Sequence, residues 1–240
     1  VHSLFFINHD DEEGLTFEQI IARRGYKLMS HPITTEDGYY LTLHRIVPPN
    51  FGEKSWKGKY RKPVLLGHCL SGSAVDFFIN SPHDDSLDIS SCSNNLGICL
   101  VSKGYDVWAM NFRGNEYSQG SSGASSNNPL YWDFSMDEFA EQDLPAAISY
   151  IQRKTGIRSI GYVGHGHGAG AMFSLLAQRR IGPETINPFV AMTPMVYFSE
   201  STSILVHLTP QIAQGLALVP HKFLLNNMLT IAGLGGCKTK

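Results

Sequence analysis

Gly164-His165-Gly166-His167-Gly168 follows a short apolar run, Ile160–Val163, and leads into a stretch with helical spacing from Ala169. Strand, glycine-bounded turn and helix form the setting in which a Gly-x-Ser-x-Gly segment raises a serine for acyl transfer. The outer glycines are needed there because strand and helix pass too close for side chains. Here the middle position is Gly166, which has no side chain with which to form an acyl-enzyme. A dinucleotide loop does not fit, because Gly-x-Gly-x-x-Gly belongs near the first strand of its unit with an acid about 20 residues on. Glu184 instead follows the basic, loop-like Arg179–Pro183. Taken alone, the pentad fits either an elbow without its nucleophile or a plain glycine-rich turn.

Other reactive side chains compete for attention. His165 and His167, with His68, make a His-x-His pattern, but histidines at i and i+2 on a tight turn point apart, and no acid or cysteine follows at ligand spacing. No metal and no cofactor are expected. Cys69 is either a reactive thiol or a small apolar residue, the second reading being favoured. Ser71 and Ser73 are poor candidates for a displaced nucleophile. Four cysteines, Cys69, Cys92, Cys99 and Cys237, permit three pairings. Cys92 and Cys99 bracket the end of a polar stretch, Asp84–Asn95, so a local disulfide there would suit an oxidising compartment; two free thiols are the alternative. No Asn-x-Ser/Thr acceptor occurs to argue for secretion.

The elements that must position these residues read as an alternation of strands and helices. Leu15–Arg24 has helical spacing; His31–Ile33 and Tyr39–Ile46 flank a turn containing Asp37-Gly38 and predict a hairpin. Pro63–Gly67, Asp106–Met110, Ile160–Val163 and Phe189–Met192 are continuous apolar runs, as expected of strands buried on both faces of a parallel sheet. Leu96–Lys103, Asp137–Lys154 and Ala169–Arg180 supply helices between them, so the fold class is α/β. Ser118–Asn128 reads as a polar linker, and Gly233–Gly236 as a turn. Only 17% of the 240 residues are charged against 42% hydrophobic, which excludes disorder, and a net charge of −2 supplies no basic field for nucleic acid. No apolar run approaches the roughly 20 residues that span a bilayer, and Val1–Asp10 lacks the pattern of a signal peptide.

Three segments go further. His31-Pro-Ile-Thr-Thr-Glu-Asp-Gly-Tyr-Tyr-Leu-Thr-Leu-His-Arg-Ile46, Gly104-Tyr-Asp-Val-Trp-Ala-Met-Asn-Phe-Arg-Gly-Asn115 and Tyr131-Trp-Asp-Phe-Ser-Met-Asp-Glu-Phe139 with Asp143-Leu-Pro-Ala146 resemble the acid lipase family of α/β-hydrolases, which includes gastric and lysosomal acid lipases and insect relatives. The likeness runs from about Phe17 to about His221, in the family's order. It implies an α/β-hydrolase fold, a mostly parallel sheet with an N-terminal hairpin, here cut short before the last strands. On this resemblance residues 1–192 are the hydrolase core and residues 193–240 the start of a cap region, including the apolar Ile204–Leu225.

The resemblance also assigns roles. The family's His-Gly-Leu, whose leucine N–H helps to hold an oxyanion, appears here as His68-Cys69-Leu70, and the second donor falls on His167. His68, Cys69 and Leu70 would line a ligand pocket. Gly164, His165 and Gly168 frame the elbow, Gly166 stands at the nucleophile position, and residues 167–240 contain no aspartate to serve as triad acid. The expectation is a catalytically disabled, lipase-like protein that binds a hydrophobic small molecule or lipid, or serves a structural or partner-binding role. The alternative is an active ester hydrolase completed by a second chain or a missing C-terminal segment. A partner, a C-terminal fragment or a second copy is expected to cover the open edge left by Phe189–Met192. The location implied is secreted or lysosomal, the signal peptide being absent from this chain.

Overall fold

Apolar side chains on both faces of the central strands let this chain build two cores on one sheet. In the computed structural model the described residues are 12, 14–52, 61–79 and 95–196. Six strands, β1 (Lys27–Thr34), β2 (Tyr40–Val47), β3 (Pro63–Gly67), β4 (Asp106–Met110), β5 (Ile160–His165) and β6 (Ile186–Met192), form one sheet in the order β1-β2-β4-β3-β5-β6. Side chains of successive strand residues point to opposite faces. Leu65, Trp108 and Tyr162 therefore enter one core with Leu144, Ile148, Met172 and Leu175, while Val64, Leu66, Val107, Ala109 and Val163 enter the other with Phe17, Phe78, Ile98 and Val101. All residues of β3 and β4 are buried, which is why their sequences show no polar alternation.

The α/β reading, with an N-terminal hairpin on a mostly parallel sheet, holds. β1 and β2 pair antiparallel from Lys27↔Val47 to Thr34↔Tyr40, and β2 runs antiparallel to β4, whereas β4, β3, β5 and β6 are parallel. Gly38, at φ +89, closes the hairpin turn with its N–H on Thr35 O at 3.0 Å. Helix α1 (Phe17–Arg23) starts with a capping box between Thr16 and Gln19. The crossover from β3 to β4 carries α2 (Leu96–Ser102) on one face, and α4 (Leu144–Thr155) and α5 (His167–Ala177) pack on the other. The chain leaves β3 and β5 toward opposite faces, so the loops beyond their C-terminal ends flank a crevice where ligands of such sheets bind.

Two expectations need correction. The helix expected over Asp137–Lys154 is interrupted: after α3 (Met136–Glu138), residues Phe139–Asp143 form a π turn before α4. Pro145, in the first turn of α4, has no N–H and its ring crowds the carbonyl four residues back, so the helix widens just ahead of it. Ser118–Asn128 is no linker. Ser118 is buried, donates from Oγ to Asn111 O at 2.8 Å and accepts Thr42 N–H at 2.9 Å, and Ser121 bridges Tyr39. Residues 80–94 and 197–240, which hold Cys92, Cys237, most of Asp84–Asn95, the cap-like Ile204–Leu225 and Gly233–Gly236, lie outside the described residues.

Candidate active site

The turn between β5 and α5 is set by close backbone approach. A Cβ at Gly164 would lie 2.6 Å from the Ala169 N and Cα atoms, and one at Gly168 would lie 2.6 Å from Gly67 C and 2.8 Å from His68 O. These obstacles are backbone, so neither position admits a larger residue without moving the sheet or the helix. Gly168 N–H donates to His68 O at 3.1 Å, and Tyr162 Oη donates to Gly168 O at 2.8 Å, joining the β3 loop to the start of α5. Between the two outer glycines Gly166 has φ +53 and ψ −108, a strained region that side chains enter only when the surroundings impose it. The sharp turn of an elbow is present, with a glycine at its tip. His165 ends β5, paired with Met192.

His68, Cys69 and Leu70 lie at the end of β3, beside this tip. His68 is buried and fixed at both ring nitrogens: Phe112 N–H donates to Nε2 at 3.0 Å, so the proton sits on Nδ1 and is donated to Cys69 O at 2.7 Å. Burial lowers its pKa to about 4, against the hydrogen bond to Cys69 O, which raises it. His68 is thus a neutral strut for the β3 and β4 loops. Cys69 is a free thiol. Leu70 holds its side chain in solvent, 54% exposed. Among the described residues neither the Leu70 nor the His167 N–H donates to a backbone carbonyl outside the helices and strands. His167 packs edge-on against Phe139 at 6.1 Å, its Nδ1 buried with no partner among the described residues, and burial lowers its pKa. No group of three His, Cys, Asp or Glu side chains is placed to hold a metal among the described residues.

A buried ionic network supports these loops and was not singled out from the sequence. Arg113, with a fully buried side chain, donates from Nε to Asp143 Oδ1 at 2.8 Å and from its backbone N–H to Asp143 Oδ2 at 3.0 Å. It also forks onto Asp37 at 2.6 and 3.0 Å and lies 3.9 Å from the Tyr39 ring centroid. One guanidinium therefore ties the β4 loop to the hairpin turn and the π turn. Burial pushes the Asp143 carboxyl up to about 6, opposed by Arg113. The signal was an arginine just beyond a fully buried strand, within a segment read only for its resemblance.

Cys99 is disulfide-bonded, and its partner lies outside the described residues, as does the expected Cys92 end of a Cys92–Cys99 pair.

Comparison with known proteins meets this geometry directly. A family described as the alpha/beta hydrolase fold matches residues 56–232, and a partial alpha/beta-hydrolase lipase region matches residues 17–81. Over 215 residues, covering 90% of this chain, it is 35% identical to the gastric triacylglycerol lipase of Bos taurus. The chain belongs to the acid lipase family of α/β-hydrolases. This member of the acid lipase family is also 35% identical over 194 residues, 80% of the chain, to Lipase lipl-1 of Caenorhabditis elegans, and 34% identical over 202 residues, 84% of the chain, to Lipase member K of Homo sapiens. The three alignments cover 45–49% of those relatives, so the chain spans about half their length. Among the described residues no helix is long and apolar enough to cross a membrane.

Proposed function

We propose that this lipase-like α/β-hydrolase is disabled for acyl transfer and works as a binder of hydrophobic small molecules or lipids. The observation that carries the reading is Gly166 at the tip of the sharp turn between β5 and α5, at φ +53 and with no side-chain atom to attack a carbonyl. The Leu70 and His167 N–H groups stand at the oxyanion positions that the resemblance assigns, yet without an attacking group no oxyanion forms for them to stabilise. In this reading residues 1–192 are the hydrolase core and residues 193–240 the start of a cap region. The disulfide at Cys99 supports an extracytoplasmic location, secreted or lysosomal. Val190 and Met192, exposed on the edge strand β6, support coverage of that edge by further sequence or a second chain.

The test is ester turnover by the purified protein with short-chain and long-chain p-nitrophenyl esters, alongside labelling by a fluorophosphonate. Rates at the buffer blank and no label are expected. Turnover abolished by the serine reagent overturns the reading. Mass spectrometry of organic extracts of the native protein is expected to recover a stoichiometric hydrophobic ligand; an empty extract removes the binding half of the proposal.

A further inference from the structure

Position 166 is closed on the Cys69 side and bordered by Met195 at ordinary contact distance. A Cβ built on Gly166 would fall deep inside van der Waals contact of Cys69 Sγ, 3.2 Å from Cys69 Cβ and 3.5 Å from Met195 Sδ. Met195 is tied to the same residue, its N–H donating to Gly166 O at 3.2 Å, while Gly166 N–H donates to Met192 O at 3.0 Å. Opposite, the backbone that carries the thiol is pinned. Cys69 O accepts His68 Nδ1–H at 2.7 Å and Gly72 N–H at 3.1 Å, so the sulfur can leave only by rotation about its single side-chain torsion.

We infer that Cys69 and Gly166 form a steric couple, in which the Cys69 sulfur occupies the volume that any side chain at position 166 requires. The inference rests on the reading of Gly166 as an emptied nucleophile position and adds that the vacancy is filled from the loop that follows β3. Substitution at 166 alone therefore meets two separate obstacles. One is the backbone angle, φ +53, which disfavours any residue with a Cβ. The other is the sulfur. Only the second depends on residue 69, so the two are separable by a double-mutant cycle.

The cycle compares the wild type, Gly166→Ala, Cys69→Gly and the double variant by thermal denaturation, alanine being chosen because it adds only the atom in question. Gly166→Ala is expected to lower the midpoint by about 5 °C or more in the wild-type background and by less than half as much beside Cys69→Gly. Cys69→Ser, which keeps a heavy atom in the sulfur's place, is expected to leave most of the penalty. Equal losses in the wild-type and Cys69→Gly backgrounds overturn the couple. If Gly166→Ala does not fold, the double variant must; a double variant that also fails to fold overturns it too. Ester turnover by the wild type that a thiol or serine reagent blocks would overturn the disabled-nucleophile reading and leave the cycle standing, whereas an additive cycle removes the couple and leaves that reading intact.

Discussion

Acidification should destabilise this protein through His68. The neutral ring accepts Phe112 N–H at Nε2 and donates Nδ1–H to Cys69 O, so a second proton on Nε2 would remove an acceptor and place a charge in the dry space between the β3 and β4 loops. An unfolded histidine titrates near 6.5, the buried one near 4. Between those values the unfolded chain holds the extra proton and the native protein does not, so this group's contribution to stability is complete above about pH 6.5 and is lost as pH falls toward 4. The fall from 6.5 to about 4 corresponds to roughly 3 kcal/mol, a large part of a domain's 5–15 kcal/mol. The assay is urea denaturation at pH 7.5, 6.5, 5.5 and 4.5, followed by fluorescence of the fully buried Trp108. His68→Gln, which offers an oxygen to Phe112 N–H without titrating, is less stable at pH 7.5, and its loss of stability on acidification should be smaller by most of that amount. The difference between the two proteins removes the contributions of Asp143 and of His44, whose pKa burial also lowers to about 4. Parallel curves for the wild type and His68→Gln would refute the reasoning.

Three further outcomes follow from named contacts. Gly168→Ala places a methyl group against Gly67 C and His68 O and should cost about 3 kcal/mol or prevent soluble expression; an unchanged urea midpoint would contradict the close approach. Arg113→Met strands the buried Asp143 carboxylate and should cost about 3–5 kcal/mol by urea denaturation at pH 7.5, with a smaller loss at pH 5, where Asp143 takes up a proton; a loss below about 1 kcal/mol would show the network to be dispensable. Reduction of the disulfide at Cys99 should lower stability by about 2–4 kcal/mol, read as a dithiothreitol-dependent fall in melting temperature that Cys99→Ser abolishes.

How far the sequence could be read depended on how local the determining forces were. β3 and β4 were legible to the residue, because strands buried on both faces leave uninterrupted apolar runs bounded by polar or glycine positions. β1 begins earlier than its apolar residues suggest, since as an edge strand it exposes Lys27, Ser30 and Pro32 to solvent and keeps a polar surface. The π turn before α4 escaped notice because helical periodicity continues through it while Pro145 alters only the hydrogen bonding. Ser118 looked like linker because its burial comes from partners, Asn111 and Thr42, that lie elsewhere in the chain.

The same division runs through the candidate site. Local sequence determined the glycine pentad, the strand before it, the helix after it and the missing hydroxyl at position 166, because each follows from residue type and spacing along one short segment. Only the tertiary structure decided that His68 is a neutral strut, that Arg113 joins three loops and that the Cys69 sulfur stands in the space beside Gly166. The first depends on β3 pairing with β4, the second on the hairpin turn and the π turn meeting the β4 loop, and the third on β3 pairing with β5 in the register Gly67↔Gly164, each bringing together residues far apart in the chain. Sequence spacing carries no distance across a sheet; packing does.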